Sequence, residues 1–504
     1  MTDQGLKSRT VKNITLNVVA KILMFGLQAV ANIILTRTLV PSDYGLVGMA
    51  LIFMNFFALF GDMGITSAVI RKQELSERDL YTGFTVRVVQ GVMLALLCAA
   101  ASPVASKVFH NYEVGAILVV FSLNFIITGA GFIPHVRLNR ELRYDRLFLP
   151  QVGYALVAAV VAIVAALTGF RHWSLVFATL GGSSASVLFL NVIKPSRPRF
   201  CFDLCAARHF INYGMNIFLT GLLSYALLNA GNLVIGAAWG AASLGFYTIA
   251  FNWGGMISTI VIGAVSSVLL PTFARIQDDR PRLRAAYLKI IEFIALLTIL
   301  ANLTLVLGAK EFLYFVLGQS TEKWFPSLIT FQILCGYGVL KSLLEPGATL
   351  MMAIGNTAVP FRATLVAAVV QLGLLYPLLR YGGMEAVALL VVLATAAQYI
   401  VYLPSLRRSL ELPARELAAK VRPAVLAMLL TISVVMALNP LTGPLSIFVF
   451  VSKLVLVPLF YLIMYGLMTR WSIYREIFDL VKGRKFPGWA SSSRGLENES
   501  EVNR

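Results

Sequence analysis

Apolar runs of helix-spanning length, separated by short polar stretches, set the rhythm of this chain. They fall at 14–36, 46–69, 80–102, 114–136, 148–168, 173–193, 211–238, 243–270, 286–308, 324–352, 360–380, 384–406, 421–438 and 446–469. A helix needs ~20 mostly apolar residues to cross the hydrocarbon core of a bilayer, so each run predicts one crossing. The expected fold is an all-α polytopic membrane protein with 14 transmembrane helices. Residues 1–13 are polar and basic, and no small-residue cleavage site follows the long first run. That run is therefore expected to remain as the first span rather than to act as a cleaved signal.

Charge adds direction to this pattern. With the N-terminus inside, and with Arg380 and Arg422 at the ends of their runs counted with the adjoining loops, the inner loops and tails hold 30 Lys and Arg, and the outer loops hold six: Arg37, Lys107, Arg171, Lys310, Lys323 and Arg380. The other six lie within runs. Lys and Arg are retained on the cytoplasmic side during insertion, so both termini are expected there. The net charge of +18 does not indicate nucleic acid. It sits in short inner loops such as Arg137, Arg140, Arg143 and Arg146, where topology and anionic lipid headgroups account for it. Cys201, Cys205 and His209 are spaced four apart, but no fourth ligand is near, so neither a metal nor a cofactor is expected.

The chain also repeats itself. Residues 31–50 (ANIILTRTLVPSDYGLVGMA) align without a gap on 231–250 (GNLVIGAAWGAASLGFYTIA), placing Asn32 on Asn232, Gly45 on Gly245 and Ala50 on Ala250. Both blocks run from inside to outside and back. Two parallel six-helix lobes follow, 14–209 and 210–406, related by an axis along the membrane normal, with helices 13 and 14 appended over 407–469. Residues 470–504 form a basic, aromatic interfacial stretch and then an acidic end expected to be disordered.

Charges within the runs are the candidate chemistry, because a charge at mid-bilayer costs ~2.5–3.5 kcal/mol and is usually kept for a partner or a water-filled path. Arg87, Lys289 and Arg362 lie near the inner ends of their runs, within snorkelling reach. Lys289 and Glu292 are three apart and able to neutralise each other. Lys341 and Glu345, four apart, precede Pro346 and Gly347, where the helix is expected to kink or break; this is the leading gate or ion site. Asp62 has three open readings: a coupling proton site, a partner for Lys21, or a helix cap. Lys21, Arg37 and Lys453 add cationic character, so a cavity for an anion such as phosphate is expected.

Several blocks resemble one family in order and spacing. ANIILTRTLVPSDYGLVGMALIFMNFFALFGDMGITSAVIRK, LNRELRYDRL, NLVIGAAWGAASLGFYTIAFNW, LLPTFARIQDDRPRLRAAY and AIGNTAVPFRATL lie between residues 31 and 365, within a resemblance that covers roughly 14–470. They resemble the Wzx-like oligosaccharide flippases of the multidrug/oligosaccharidyl-lipid/polysaccharide (MOP) superfamily. The resemblance implies two six-helix lobes forming a V, plus two helices, in a bacterial cytoplasmic membrane. It implies movement of an undecaprenyl-pyrophosphate-linked oligosaccharide to the outer leaflet, with coupling to H⁺ or Na⁺ open. Partners implied are that lipid, the surrounding membrane, and polysaccharide polymerase and chain-length machinery. Lys21, Arg37, Arg87, Lys341, Arg362 and Lys453 would face the pyrophosphate, and Asn32, Asn232, Gln28, Gln371, Tyr225 and Tyr376 the sugar. Asp62, Glu292 and Glu345 would couple or gate. Where relatives often carry an acidic residue this chain has Asn232, so coupling must rest elsewhere or be absent. A drug/cation antiporter of the same fold is the alternative transporter, but it calls for an acidic cavity. A membrane polymerase or glycosyltransferase is the enzyme alternative; it needs carboxylates gathered on outer loops, where here they are scattered, so no enzyme is expected.

Overall fold

The computed structural model describes residues 24–474 except 25, 63–65, 67, 68, 70–75, 142, 197, 202, 319, 320, 438–444 and 473, and in some helical positions, including Asp62, 204–220 and Tyr376, it describes the backbone alone. Lys21, residues 14–23 and 25 of the first apolar run, and the tail beyond 474 lie outside the described residues. What is described is helical throughout. The N-terminal half comprises α1 (26–38), α2 (Pro41–Asp62), α3 (Glu77–Ala100), the short α4 (Ser102–Val108), α5 (Tyr112–Gly129), α6 (Phe132–Arg140), α7 (Tyr144–Leu167) and α8 (Trp173–Ile193). The C-terminal half comprises α9 (Leu204–Arg275), α10 (Arg280–Leu307), α11 (Leu328–Ala353), α12 (Ala358–Tyr381), α13 (Met384–Leu410), α14 (Ala414–Ala437) and α15 (Ile447–Met468). Among the described residues, 12 helices are long and apolar enough to cross a membrane.

Polar side chains start these helices by satisfying N–H groups that have no partner within the helix. Ser76 and Asp79 form a reciprocal capping box at α3. Asn111, Asp279 and Ser446 accept from Glu113, Arg282 and Phe448 at α5, α10 and α15. Large apolar side chains such as Leu96, Val192, Ile400 and Phe448 remain exposed around the bundle, as lipid-facing positions do in a membrane.

One helix is too long for a single crossing. Of the 72 residues in α9, those from Gly221 to Gly263 form a 43-residue apolar stretch. The backbone of α9 leaves the helical region at Gly240 (φ 78°, ψ −176°), a conformation that glycine adopts without strain. Gly240 aligns with Val40, where the chain turns between α1 and α2, so both blocks of the repeat turn at the same position. The blocks also pack on each other reciprocally. A methyl group at Gly45 would overlap the Ala241 carbonyl, and one at Gly245 would overlap the carbonyl of Pro41, the residue aligned with Ala241. One turn on, Gly48 faces Leu244 and Thr248.

The cores follow this contact. Near it, residues from both halves form one apolar core, including Leu39, Tyr44 and Phe121 from the first and Leu244, Trp324 and Phe331 from the second. The other described cores each belong to one half. Val69, Phe84, Phe132 and Val136 form one, and Leu138, Leu147 and Leu190 another. Phe273, Tyr287 and Tyr402 lie in a third, and Ile299, Tyr461 and Tyr465 in a fourth.

Candidate functional site: a neutral cleft with charged side chambers

The two halves enclose a cleft beside their shared core. One chamber, about 350 Å³, is lined by Gln28, Asn32 and Tyr44 on one side and by Asn252, Trp253 and Thr259 on the other. A second, about 250 Å³, shares Gln28, Asn32, Tyr44 and Asn252 and continues to Tyr154 of α7 and Thr179 of α8. None of the described residues lining these chambers carries a charge. Their amides and hydroxyls both donate and accept, which suits a ligand rich in hydroxyl groups. Tyr154 also lines a larger cavity of about 640 Å³, where Arg87 and His135 stand among Thr128, Ser183 and Ser186.

Lys341 lies in the C-terminal half. It lines a chamber of about 250 Å³ with Tyr247, Tyr337, Gln371, Thr395 and Gln398. Its ammonium is 3.8 Å from Glu345, beyond hydrogen-bond length. Of the expected kink or break at Pro346, the break does not occur: α11 runs as one α-helix from Leu328 to Ala353. Proline removes one N–H from the ladder, and neighbouring helices can supply donors to the backbone. The Tyr399 hydroxyl donates to the Leu340 carbonyl, 2.9 Å away and six residues before Pro346, whereas the carbonyl that Pro346 leaves without its ladder donor is that of Ser342. Gln371 is buried and donates to the Leu227 carbonyl at 2.7 Å, and Tyr225 donates to Ile52 O at 2.7 Å, so both already hold backbone.

The other expected site residues lie apart. Arg37 is at the end of α1 and its Nε donates to Val316 O at 3.0 Å. Lys453 is buried and paired with Glu311, Nζ to Oε1 2.6 Å. Glu292 is also buried and meets Lys420 of α14 at 3.2 Å as well as Lys289 at 3.5 Å. Arg362 is exposed on the first turns of α12. Asn232 is half-buried on α9, and Asp62 closes α2. The cations therefore do not gather in one chamber among the described residues. Asn252, Tyr154 and Thr179 also line the cleft but carry no charge, and their signal in the sequence is a neutral polar side chain within an apolar run.

The end with the shared core is also tied by polar contacts between halves. Lys323 donates to Arg37 O at 2.8 Å, and the buried Trp324 Nε1 donates to Thr36 O at 3.1 Å. Partial burial holds the Lys323 ammonium below its ordinary value, opposed by the nearby Asp43 carboxylate. Asp43 is itself buried, with Arg171 at 3.4 Å and His172 at 3.6 Å.

Comparison with known proteins agrees with this architecture. A family model described as "Polysaccharide biosynthesis protein" matches residues 34–328. The chain is 24% identical over 395 residues to the lipopolysaccharide biosynthesis protein WzxC of Escherichia coli, covering 77% of this chain and 78% of that one. It is 25% identical over 366 residues to the succinoglycan biosynthesis transport protein ExoT of Rhizobium meliloti, covering 72% and 73%. Its fold matches the lipid II flippase MurJ in an inward closed conformation (TM-score 0.74, 17% identity, 91% of this chain and 100% of that one). It also matches an inward-facing multidrug resistance MATE family transporter of the MOP superfamily (TM-score 0.63, 17% identity, 77% and 94%). The chain thus belongs to the polysaccharide biosynthesis protein family.

Proposed function

We propose that this protein moves an undecaprenyl-pyrophosphate-linked oligosaccharide from the inner to the outer leaflet of a bacterial cytoplasmic membrane, by alternating access of two lobes. The observation that carries the reading is the neutral polar cleft closed at one end by a core shared between halves, while the remaining cores stay within their own half. A sugar headgroup cannot cross hydrocarbon unaided, and its amide and hydroxyl partners are the groups lining the cleft. The lipid tail can stay in the bilayer.

The same reading counts 14 helices in lobes 14–209 and 210–406, with α14 and α15 as the appended pair. Gly221–Gly263 would be ~65 Å long as one straight helix, about twice the hydrocarbon thickness, so with its turn at Gly240 it makes two crossings. The run 14–36 supplies the remaining one. The closed end, with Arg37, Lys323 and the short loops, is then the outer face. Lys341 and Arg87 are the cations that line chambers and would meet phosphate. An antiporter for cationic drugs is disfavoured, because the described lining of the cleft offers no carboxylate.

The test is leaflet-resolved detection of lipid-linked oligosaccharide at the outer face, with and without the protein, and with Lys341→Ala and Asp62→Asn at matched expression. Loss of outer-leaflet material without the protein, and a fall in the variants, is expected. Unchanged outer-leaflet material with loss of long polymer would instead assign the protein to polymerisation after translocation.

A further inference from the structure

The lining of two chambers repeats along with the sequence. Gln28, Ala31, Val47 and Leu51 line the chamber of the N-terminal half, and the residues aligned with them, Leu228, Gly231, Tyr247 and Phe251, line the Lys341 chamber. The remaining walls correspond too. Ala155, Ala158 and Ala162 on α7 have the spacing of Thr364, Ala367 and Gln371 on α12. Leu175, Ala178 and Thr179 on α8 have that of Val391, Ala394 and Thr395 on α13. Each half therefore contributes four equivalent helical segments to its chamber, and Thr248 and Asn252 of α9 complete the N-terminal one.

Their chemistry has diverged. The N-terminal chamber is uncharged and opens on the cleft through the side chains they share, Gln28, Asn32, Tyr44 and Asn252. The C-terminal chamber receives a further helix, α11, which adds Tyr337 and Lys341. The Lys341 side chain is about one-third exposed, and its ion pair with Glu345 at 3.8 Å is too long for a direct hydrogen bond. A lipid-linked glycan is itself divided in this way, into a neutral polyhydroxyl part and a doubly charged pyrophosphate.

We infer that the duplicated chambers divide the headgroup between them, the Lys341 chamber taking the pyrophosphate and the Gln28–Asn32–Thr179 chamber taking a sugar. This assignment rests on the flippase reading. It makes Lys341 a determinant of phosphate affinity and the N-terminal chamber a determinant of glycan specificity.

The experiment measures binding of two probes to the purified full chain in lipid nanodiscs: undecaprenyl pyrophosphate without sugar, and the same lipid bearing one repeat unit. A charged hydrogen bond contributes ~1.5–3 kcal/mol, so Lys341→Gln should weaken sugar-free binding about tenfold or more, while Lys341→Arg retains most of it. Gln28→Leu combined with Thr179→Val should weaken the sugar-bearing lipid several-fold more than the sugar-free one. Each variant must remain monodisperse and melt near wild type, and Lys341→Arg separates loss of charge from loss of fold. Equal sugar-free binding by Lys341→Gln and wild type would overturn the phosphate assignment. An equal loss for both lipids in the N-terminal variant would overturn the sugar assignment. If wild type binds neither lipid, the flippase reading itself falls.

Discussion

Near the Gly45–Ala241 contact, side chains from both halves share one apolar core, and backbone carbonyls of one half accept hydrogen bonds from side chains of the other. At the opposite ends of α3 and α11, Phe84 packs with Phe132 and Val136 in one half, while Leu344 and Leu350 pack with Phe273 and Tyr287 in the other. The described polar contacts there stay within a half: Arg137 with Glu77, Lys194 with Glu141, and Arg284 with Glu416. The joined end is therefore specified by close backbone approach and buried polar groups, whereas the separated end rests on exposed ion pairs, which contribute little. Substitutions should divide along this line.

The largest effect is expected at Lys453. Lys453→Ala would leave Glu311, which is 3% exposed, as a buried carboxylate without its cation. Breaking a buried pair from one side costs about 3–5 kcal/mol, whereas replacing both partners with apolar residues is often neutral. Thermal unfolding in detergent should show a marked loss for Lys453→Ala and substantial recovery in the Lys453→Met, Glu311→Leu double variant. Equal losses in both would mean that the pair does not govern this end. Next come the glycines. Gly245→Val forces side-chain atoms into the Pro41 carbonyl, and overpacking of this kind costs about 1–3 kcal/mol. Thiol labelling of a cysteine at Ala241, with the native cysteines replaced, should rise in Gly245→Val as the halves part. Unchanged labelling would show that the contact is dispensable.

Much of the joined end was legible in the sequence, and most of its polar wiring was not. The apolar runs, the repeat and the shared turn position follow from local pattern, because span length and glycine placement are local properties. Lys289 beside Glu292 was legible for the same reason, being three apart on one helix. Glu311 with Lys453 and Glu292 with Lys420 were not, since each pair joins residues more than 120 positions apart and packing alone brings them together. Counting charge thus pointed to Lys453 as a cavity cation, when burial had already given it a partner. Pro346 shows the limit of a local signal in the opposite sense: it allows a kink or a break, and α11 continues without the break.

Trp324 sharpens the comparison at smaller scale. Its indole is fully buried, packs edge-on against Tyr44 at 5.8 Å, and donates across the halves to Thr36 O. Trp324→Phe keeps an aromatic ring but removes the donor, so ~1–3 kcal/mol is at stake if the Thr36 carbonyl stays buried. The expected result is a lower melting temperature and modestly faster labelling at Ala241→Cys. Trp324→Leu should exceed it, because it also loses the ring contact. If the two variants match, the hydrogen bond rather than the ring holds the halves together.

The smallest effect belongs to the separated end, and its sign can be stated. The Lys194 ammonium, donating at 2.7 Å, holds the Glu141 carboxyl below the ordinary Glu range, with Arg143 and Arg146 adding to the effect. A carboxylate depressed on folding contributes stability above its unfolded pKa and loses it as pH falls through the folded value. The contribution is therefore present at neutral pH and fades below about pH 4, near and beneath the ordinary Glu value. Both side chains are substantially exposed, so water and salt screen the pair. Glu141→Gln should shift the melting temperature slightly at pH 7, less at high salt, and hardly at all in acid. It should also leave labelling at Ala241→Cys unchanged, because this ion pair lies within the N-terminal half and spans no contact between halves. A large shift, or a change in that labelling, would mean that the separated end governs closure as well, and the contrast between the two ends would collapse.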